Sequence, residues 1–161
     1  MTTAIDAVSN SPLASELSPA EVGVLAGLVK IRALKDDEVL LPAGSRDGHL
    51  HVVVAGHLDV VHASDYGRTL LYRLEPGDLV GELSFMDDEP RYAALISSGP
   101  TQVLVLARSD FESLIDRAPR IVYKVMRAIM RVAHKVQRRL SLQLRDMEHY
   151  VYRSGGKFVD D

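Results

Sequence analysis

The sequence contains no cysteine, and this absence excludes two kinds of site. Disulfide bonds and thiolate metal centres both require cysteine side chains, so neither can form here. No segment approaches the roughly 18 apolar residues in a row that a membrane-spanning helix needs. Residues 1–12 have neither the basic start nor the apolar run of a signal peptide. We therefore expect a cytoplasmic protein.

Recognisable catalytic patterns are missing as well. The six histidines are scattered, and neither a Ser–His–Asp order nor a Walker-type phosphate loop stands out. His49 and His51 alternate along a predicted strand and so share one face of it. A metal site would need further ligands that the sequence does not supply nearby. We expect no enzyme activity and no bound metal.

The charges are distributed very unevenly along the 161 residues. Residues 117–145 contain nine Lys or Arg and no Asp or Glu, so the net charge of −3 combines about +9 there with about −12 elsewhere. Such a basic stretch suits an acidic protein partner, since nucleic acid would be repelled by the negative remainder. Anionic lipid, a solvated surface and packing against the chain's own acidic roll are the alternatives.

The order of the predicted elements indicates an α+β fold that is mainly β. Residues 1–12 are small and polar, and we expect a flexible N-terminus there. Ser18, Pro19 and Glu21 predict a capped helix start. From about residue 30 to 106, short apolar runs end at turn residues without helical crossovers, which predicts an antiparallel β-roll or jelly roll. The predicted strands include Glu38–Leu41, Leu50–Val54, His57–His62, Thr69–Leu74, Tyr92–Ile96 and Thr101–Leu106.

A long C-terminal helix is predicted from Pro119 to about Met147, followed by a tail over 148–161. Its apolar seam, at steps of three and four residues, comprises Val122, Val125, Ile129, Val132 and Val136. The basic residues on the opposite face are Arg120, Lys124, Arg127, Arg131, Lys135 and Arg138. The seam predicts packing on the roll or on a second copy, and we expect a homodimer.

The most informative segment runs from Gly81 to Arg91 and reads GELSFMDDEPR. Gly81 lets the backbone approach a ligand closely. Arg91 offers a planar fork of donors to phosphate oxygens. Glu82, which only accepts hydrogen bonds when ionised, suits a ribose hydroxyl. The segment therefore has the groups that a cyclic nucleotide needs.

This segment resembles the phosphate-binding cassette of the cyclic nucleotide-binding domain family, whose members include bacterial catabolite activator proteins and regulatory subunits of cyclic AMP-dependent kinase. Glycine, glutamate, leucine, proline and arginine are in register with the family pattern. The resemblance runs from about residue 17 to 144 and includes the stretches 47–56 and 74–80. Gly44, Gly56 and Gly77 fall where the roll of this family has its tight corners. It implies one domain over residues 13–147, as a stand-alone module without the helix-turn-helix of the transcription regulators.

The resemblance also implies a role for each cassette residue. Arg91 would neutralise the cyclic phosphate, the N–H groups of Ser84 and Tyr92 would add donors, and Glu82 would hold the ribose 2′-hydroxyl. The implied ligand-binding residues are Gly81, Glu82, Leu83, Ser84, Arg91 and Tyr92.

Recognition of the base is less well defined by the sequence. Family members usually contact the base from the long helix, and the equivalent turn falls near Val136 and Gln137, although Val136 is also a seam residue. Ala94 stands where a threonine or serine favours guanine, so cyclic AMP is favoured over cyclic GMP. Binding would move the long helix, and a partner would receive the signal.

An alternative interpretation is a ligand-free interaction module of the same fold, working through its basic helix. The bulky Tyr92 favours it, because this position is normally small. Arg91 would then have a structural role, paired with one of the nearby acids Asp87, Asp88 and Glu89.

Overall fold

A computed structural model describes residues 2–154; for Leu83, Leu140 and residues 148–154 it describes the main chain only. Within this part of the chain, six strands form one antiparallel sheet. The strands are β1 Val29–Leu34, β2 Val39–Leu41, β3 His49–Ser64, β4 Gly67–Leu74, β5 Leu79–Val80 and β6 Ala94–Ala107. The helices are α1 Ala4–Ser9, a 3₁₀ helix Pro12–Ala14, α2 Pro19–Ala26, α3 Glu82–Asp87, α4 Arg108–Glu112 and α5 Pro119–Ser154. The predicted fold class is confirmed.

Strands β3 and β6 form the centre of the sheet, whose order is β1-β6-β3-β4, with β2 on β6 and β5 on β3. Each is one long strand where the sequence predicted two short ones. The pairing of β3 with β6 has register shifts between Val53 and His57, where the sequence predicted a turn. The strand continues past this irregularity because Gly56 adopts a φ of 78° and Thr101 bonds across it. The Thr101 hydroxyl donates to His57 O at 2.9 Å and accepts from His57 N at 3.2 Å.

The hydrophobic core lies between the strands of the roll. A buried cluster draws apolar side chains from β1 through β6, and Val80 and Val105 pack against it. Its members are Leu34, Leu40, Leu41, Val53, Leu58, Val60, Leu74, Ala93, Leu95 and Val103. The cassette follows β5 directly, so this core sets its position.

The N-terminus differs from the flexible segment that was predicted. Residues 4–9 form α1, and Ala7 and Val8 are buried. The helix begins with a capping box: Thr3 Oγ1 accepts from Asp6 N at 3.1 Å, and Asp6 Oδ2 accepts from Thr3 N at 3.2 Å. The capping box and the burial of Ala7 and Val8 together account for the helix where a flexible segment was predicted. The predicted cap of α2 by Ser18 and Glu21 is confirmed.

Helix α5 begins at Pro119 as predicted and continues to Ser154, so residues 148–154 belong to the helix rather than to a tail. Residues 155–161 lie outside the described part. The chain divides within α5 into two compact units, Met1–Ile129 and Met130–Asp161. The predicted seam is divided as well: Val125 and Ile129 are buried in the first unit, whereas Val136 of the second is exposed. The domain boundaries 13 and 147 stay a prediction.

In the described part of the chain, no helix is both long enough and apolar enough to cross a membrane. The cytoplasmic location stays a prediction.

Candidate functional site

The cassette is a tight turn followed by a short helix. Gly81 begins it with a φ of 89°, a left-handed conformation that favours glycine. A Cβ at this position would lie 2.5 Å from Arg91 Nη1 and 2.8 Å from His49 O. Phe85, which is buried, anchors the cassette, since its ring centroid lies 5.6 Å from that of Phe111. Glycine is thus required by backbone conformation and by the close approach of Arg91.

Arg91 is buried beneath this turn, with its side chain only 7% exposed. Its Nη2 donates to Asp47 Oδ1 at 2.6 Å and to His49 O at 3.1 Å. Its Nε is buried and has no hydrogen-bond partner among the described residues. The backbone is held by Ser45 O, which accepts from Arg91 N at 3.0 Å. The guanidinium is therefore fixed at one end and retains donor capacity.

Asp47 is the carboxylate that neutralises Arg91. Burial opposes its ionisation, but the hydrogen bond and charge of Arg91 outweigh burial and lower the pKa of the Asp47 carboxyl. The alternative interpretation, in which Arg91 has a structural role, predicted that it pairs with Asp87, Asp88 or Glu89. The structure places Asp88 near Arg108 instead, at 3.7 Å. That part of the alternative is wrong, because the partner of Arg91 is Asp47, which lies in the connection between β2 and β3 rather than in the cassette.

His51 lies beside this pair and is almost completely buried. Burial lowers the pKa of His51 to about 4; the charge of Asp47 opposes this, while Arg91, His49 and Arg32 add to it. His51 is therefore neutral at pH 7. Its Nδ1 is buried and has no partner in the part of the chain that the structure describes, and its Nε2 lies 4.0 Å from Asp47 Oδ2. Within the described residues, no cluster of His, Asp and Glu has the size that a metal site needs.

The remaining predicted residues differ in how far they are buried. Ser84 is buried, and its Oγ has no hydrogen-bond partner among the described residues. Glu82 is half-buried, and Tyr92 is 67% exposed. The side chain of Leu83 lies outside the described part. Val136 and Gln137 are exposed residues of the second unit, and their contact with a base stays a prediction.

A second tyrosine borders the site, and the sequence interpretation missed it. Tyr72 Oη and Tyr92 Oη are 2.9 Å apart and share a hydrogen bond. Burial, this hydrogen bond and the charges of Tyr92, Glu82 and Asp78 all raise the pKa of Tyr72. The charge of Glu82 acts on the Tyr72 hydroxyl, so this part of β4 lies near the cassette. Only a predicted strand, Thr69–Leu74, pointed to this residue.

Comparison with known proteins identifies the arrangement. The profile of the cyclic nucleotide-binding domain matches residues 31–118, which include β1 through α4 and the whole cassette. The chain belongs to the cyclic nucleotide-binding domain family. This family is regulatory rather than catalytic.

Two curated relatives show how widely the domain is used. The chain is 28% identical to the cyclic AMP receptor protein of Thermus thermophilus over 137 residues, covering 84% of this chain and 63% of that protein. It is 28% identical to a cAMP-dependent protein kinase regulatory subunit of Blastocladiella emersonii over 105 residues, covering 65% of this chain and 26% of that protein. The chain thus spans less than two thirds of either relative.

Solved structures show the same fold. A cyclic nucleotide-binding domain from Methylobacillus flagellatus has a TM-score of 0.70 and 23% identity, covering 98% of this chain and 83% of the other. The catabolite activator protein of Thermus thermophilus has a TM-score of 0.66 and 27% identity, covering 83% and 63%.

Part of the predicted basic face is used inside the first unit. Lys124 Nζ donates to both carboxylate oxygens of Glu21, at 2.7 and 2.9 Å. Arg127 pairs with Glu16 at 3.4 Å and lies over the Tyr123 ring at 5.4 Å. These charges attach the start of α5 to the N-terminal helical segment, whereas the alternative had expected packing against the roll.

A separate cavity of about 410 Å³ lies on another part of the sheet and contains none of the cassette residues. It is lined by Asp36, Asp37, Asp59, Val61, Arg68, Leu70, Ile96, Ser97 and Ser98.

Proposed function

We propose that this domain binds a 3′,5′-cyclic nucleotide at the cassette, with Arg91 holding the cyclic phosphate. The observation that carries the proposal is the buried guanidinium beside Gly81, whose Nε lacks a partner among the described residues. A buried donor without a partner is costly unless a ligand satisfies it. The donor set is also chemically suited to a phosphate, since Arg91 donates hydrogen bonds and carries the compensating charge.

Within the same proposal, Glu82 accepts from the ribose 2′-hydroxyl, and backbone N–H groups of Ser84 and Tyr92 complete the phosphate contacts. Cyclic AMP is the proposed ligand rather than cyclic GMP, because Ala94 has no hydroxyl to offer a guanine. Both expectations extend the family pattern onto residues of this chain.

The test is calorimetric titration of cyclic AMP and cyclic GMP into the wild type, Arg91→Ala and Arg68→Ala. A hydrogen bond to a charged group is worth about 1.5–3 kcal/mol, so Arg91→Ala should lose at least roughly tenfold in affinity. Arg68 is a matched control, because it pairs with Asp37 at the surface, away from the cassette. Circular dichroism checks that both variants fold. Equal affinity of Arg91→Ala and wild type would refute the phosphate site.

A second candidate function is the ligand-free interaction module, and the pairing of Asp47 with Arg91 at 2.6 Å favours it. In such a module the arginine would be satisfied permanently by the chain's own carboxylate. The same titrations separate the two functions: a wild type that takes up neither nucleotide at millimolar concentration supports the module.

We propose that binding changes the position of α5 and that a partner receives the signal. The partner would be acidic, and Lys135 and Arg138, exposed on the second unit, are the proposed contacts. Lys135→Glu/Arg138→Glu should then lose partners in pull-downs, and wild-type recovery should weaken as salt rises. Lys30→Glu/Lys35→Glu changes the charge equally on exposed positions of the roll and serves as the control. If both double variants recover the same partners, the basic surface is only solvated.

We propose in addition that the chain forms a homodimer through the exposed part of the seam. Val136, a seam residue, is exposed on the second unit, as are the apolar side chains of Leu144 and Met147 further along α5. Val136→Asp should therefore yield monomers by light scattering without loss of the fold. Ile129→Asp is unsuitable for this purpose, because Ile129 is buried in the first unit and a charge there should unfold it. A monomeric wild type at micromolar concentration would refute the dimer.

A further inference from the structure

The two tyrosines at the site connect parts of the chain that are distant in sequence. Tyr72 belongs to β4, and Tyr92 directly follows Arg91, yet their hydroxyl oxygens are 2.9 Å apart. The hydrogen bond thus links strand β4 to the end of the cassette. A phenol pair keeps one unused proton and several lone pairs, so it still has hydrogen-bonding capacity toward a third group.

The sheet register shows which face Tyr72 occupies. Tyr72 lies opposite Val60, and Leu74 lies opposite Leu58. Paired residues of antiparallel strands share a face of the sheet. Val60, Leu58 and Leu74 are all buried in the core cluster, whereas Tyr72 on the same face is 46% exposed. Tyr72 therefore lies where the buried part of this face ends and an open surface begins.

The open surface lies beside the groups assigned to the phosphate and the ribose. Tyr92 is the neighbour of Arg91 in sequence, and the charge of Glu82 acts on the Tyr72 hydroxyl. We therefore expect the base of a nucleotide held by Arg91 and Glu82 to lie within reach of the Tyr72 and Tyr92 rings. Both rings are partly exposed, so each has surface available for a flat aromatic group.

We propose that the rings of Tyr72 and Tyr92 form the wall on which the nucleotide base packs. This inference rests on the proposed function, and it identifies the base-contacting residues of the same site. Bases stack on aromatic side chains with little regard to their identity. The wall therefore supplies affinity for either purine, while the hydroxyl pair is placed to hydrogen-bond a base edge.

The first experiment measures the affinities of cyclic AMP and cyclic GMP for wild type, Tyr72→Ala, Tyr92→Ala and Tyr72→Phe. Loss of a base–ring contact should weaken both nucleotides by roughly tenfold in each alanine variant. Tyr72→Phe keeps the ring and should retain most of the affinity, with a changed ratio between the two nucleotides. Tyr66→Ala is the control, because Tyr66 is fully exposed in the turn between β3 and β4.

Nuclear magnetic resonance of ¹³C-labelled tyrosine rings tests the contact without truncating either side chain, with Tyr→Phe variants to assign the signals. Ring signals of Tyr72 and Tyr92 should shift on addition of cyclic AMP, and that of Tyr66 should not. Unmoved Tyr72 and Tyr92 signals at saturation, or wild-type affinity in both alanine variants, would overturn this inference and leave the proposed function intact. Failure of the wild type to bind either nucleotide would overturn the proposed function, and the wall with it.

Discussion

Replacement of Asp47 by asparagine should weaken the fold and strengthen nucleotide binding at the same time. The Asp47 carboxylate accepts from Arg91 Nη2 at 2.6 Å, and the Arg91 side chain is 7% exposed. Asparagine keeps an oxygen acceptor and removes only the charge. Because a buried charge then loses its counter-charge, the free energy of unfolding should fall by about 1–3 kcal/mol.

The effect on ligand binding follows from the same charge. A phosphate and the Asp47 carboxylate that both accept from the Arg91 guanidinium would be about 5 Å apart, since each would lie about 2.9 Å from its donor nitrogen. Two like charges at that distance repel by about 3 kcal/mol at an effective dielectric constant of about 20, and partial exposure of Asp47 reduces this value. Asp47→Asn should therefore raise the affinity for cyclic AMP by at least roughly tenfold. Saturating nucleotide should also restore most of the lost stability, since the phosphate replaces the missing charge.

The assay combines chemical denaturation, without and with cyclic AMP, and calorimetric titration. Asp59→Asn is the matched control, because Asp59 forms an equally short pair with Arg73, at 2.6 Å, but Arg73 is 44% exposed. An exposed pair contributes only about 0.2–1 kcal/mol, and its removal should leave nucleotide affinity unchanged. A lower affinity in Asp47→Asn would refute the reasoning and show that Asp47 orients Arg91 for the phosphate instead of competing with it.

Two further predictions concern stability. Burial lowers the pKa of His51 from 6.5 to about 4, so the unfolded chain binds the proton more tightly than the folded one. The contribution of neutral His51 to the free energy of unfolding is therefore complete above pH 6.5. It is lost as the pH falls toward 4, which lowers the free energy of unfolding by about 3 kcal/mol. Chemical denaturation at a series of pH values should show this pH-dependent loss in the wild type but not in His51→Gln. His62→Gln is the control, because His62 is exposed, and it should behave like the wild type. The same pH dependence in all three proteins would contradict the prediction. Gly56→Ala should lose about 3 kcal/mol or more, because φ is 78° and the new Cβ would lie 2.7 Å from Thr101 Oγ1 and 2.8 Å from Thr101 Cα. Gly67→Ala, with φ of 117° and no atom within 4 Å, should lose only about 1 kcal/mol, and equal melting temperatures would show that the clash is relieved.

Local chemistry made several features predictable from the sequence. Ser18, Pro19 and Glu21 determine the start of α2, and Pro119 determines that of α5, because helix caps depend on neighbours within a few residues. The cassette was recognisable for the same reason, since Gly81, Glu82 and Arg91 occupy fixed positions in one short segment. The start of α1 was equally local, but its box uses Asp6 in place of the more familiar Glu or Gln.

The partners of the site residues were decided by the tertiary structure. Asp47 reaches Arg91 across 44 positions of sequence, and Tyr72 reaches Tyr92 across 20. Asp47 lies just before β3, Tyr72 lies in β4, and Arg91 and Tyr92 precede β6, so the pairing of these strands brings the four residues together. Likewise, regular spacing predicted one continuous seam along α5. The structure buries Val125 and Ile129 in the first unit, whereas Val136 of the second unit is exposed. Periodicity shows which side chains share a helix face, whereas the surface that covers this face is supplied by distant parts of the fold.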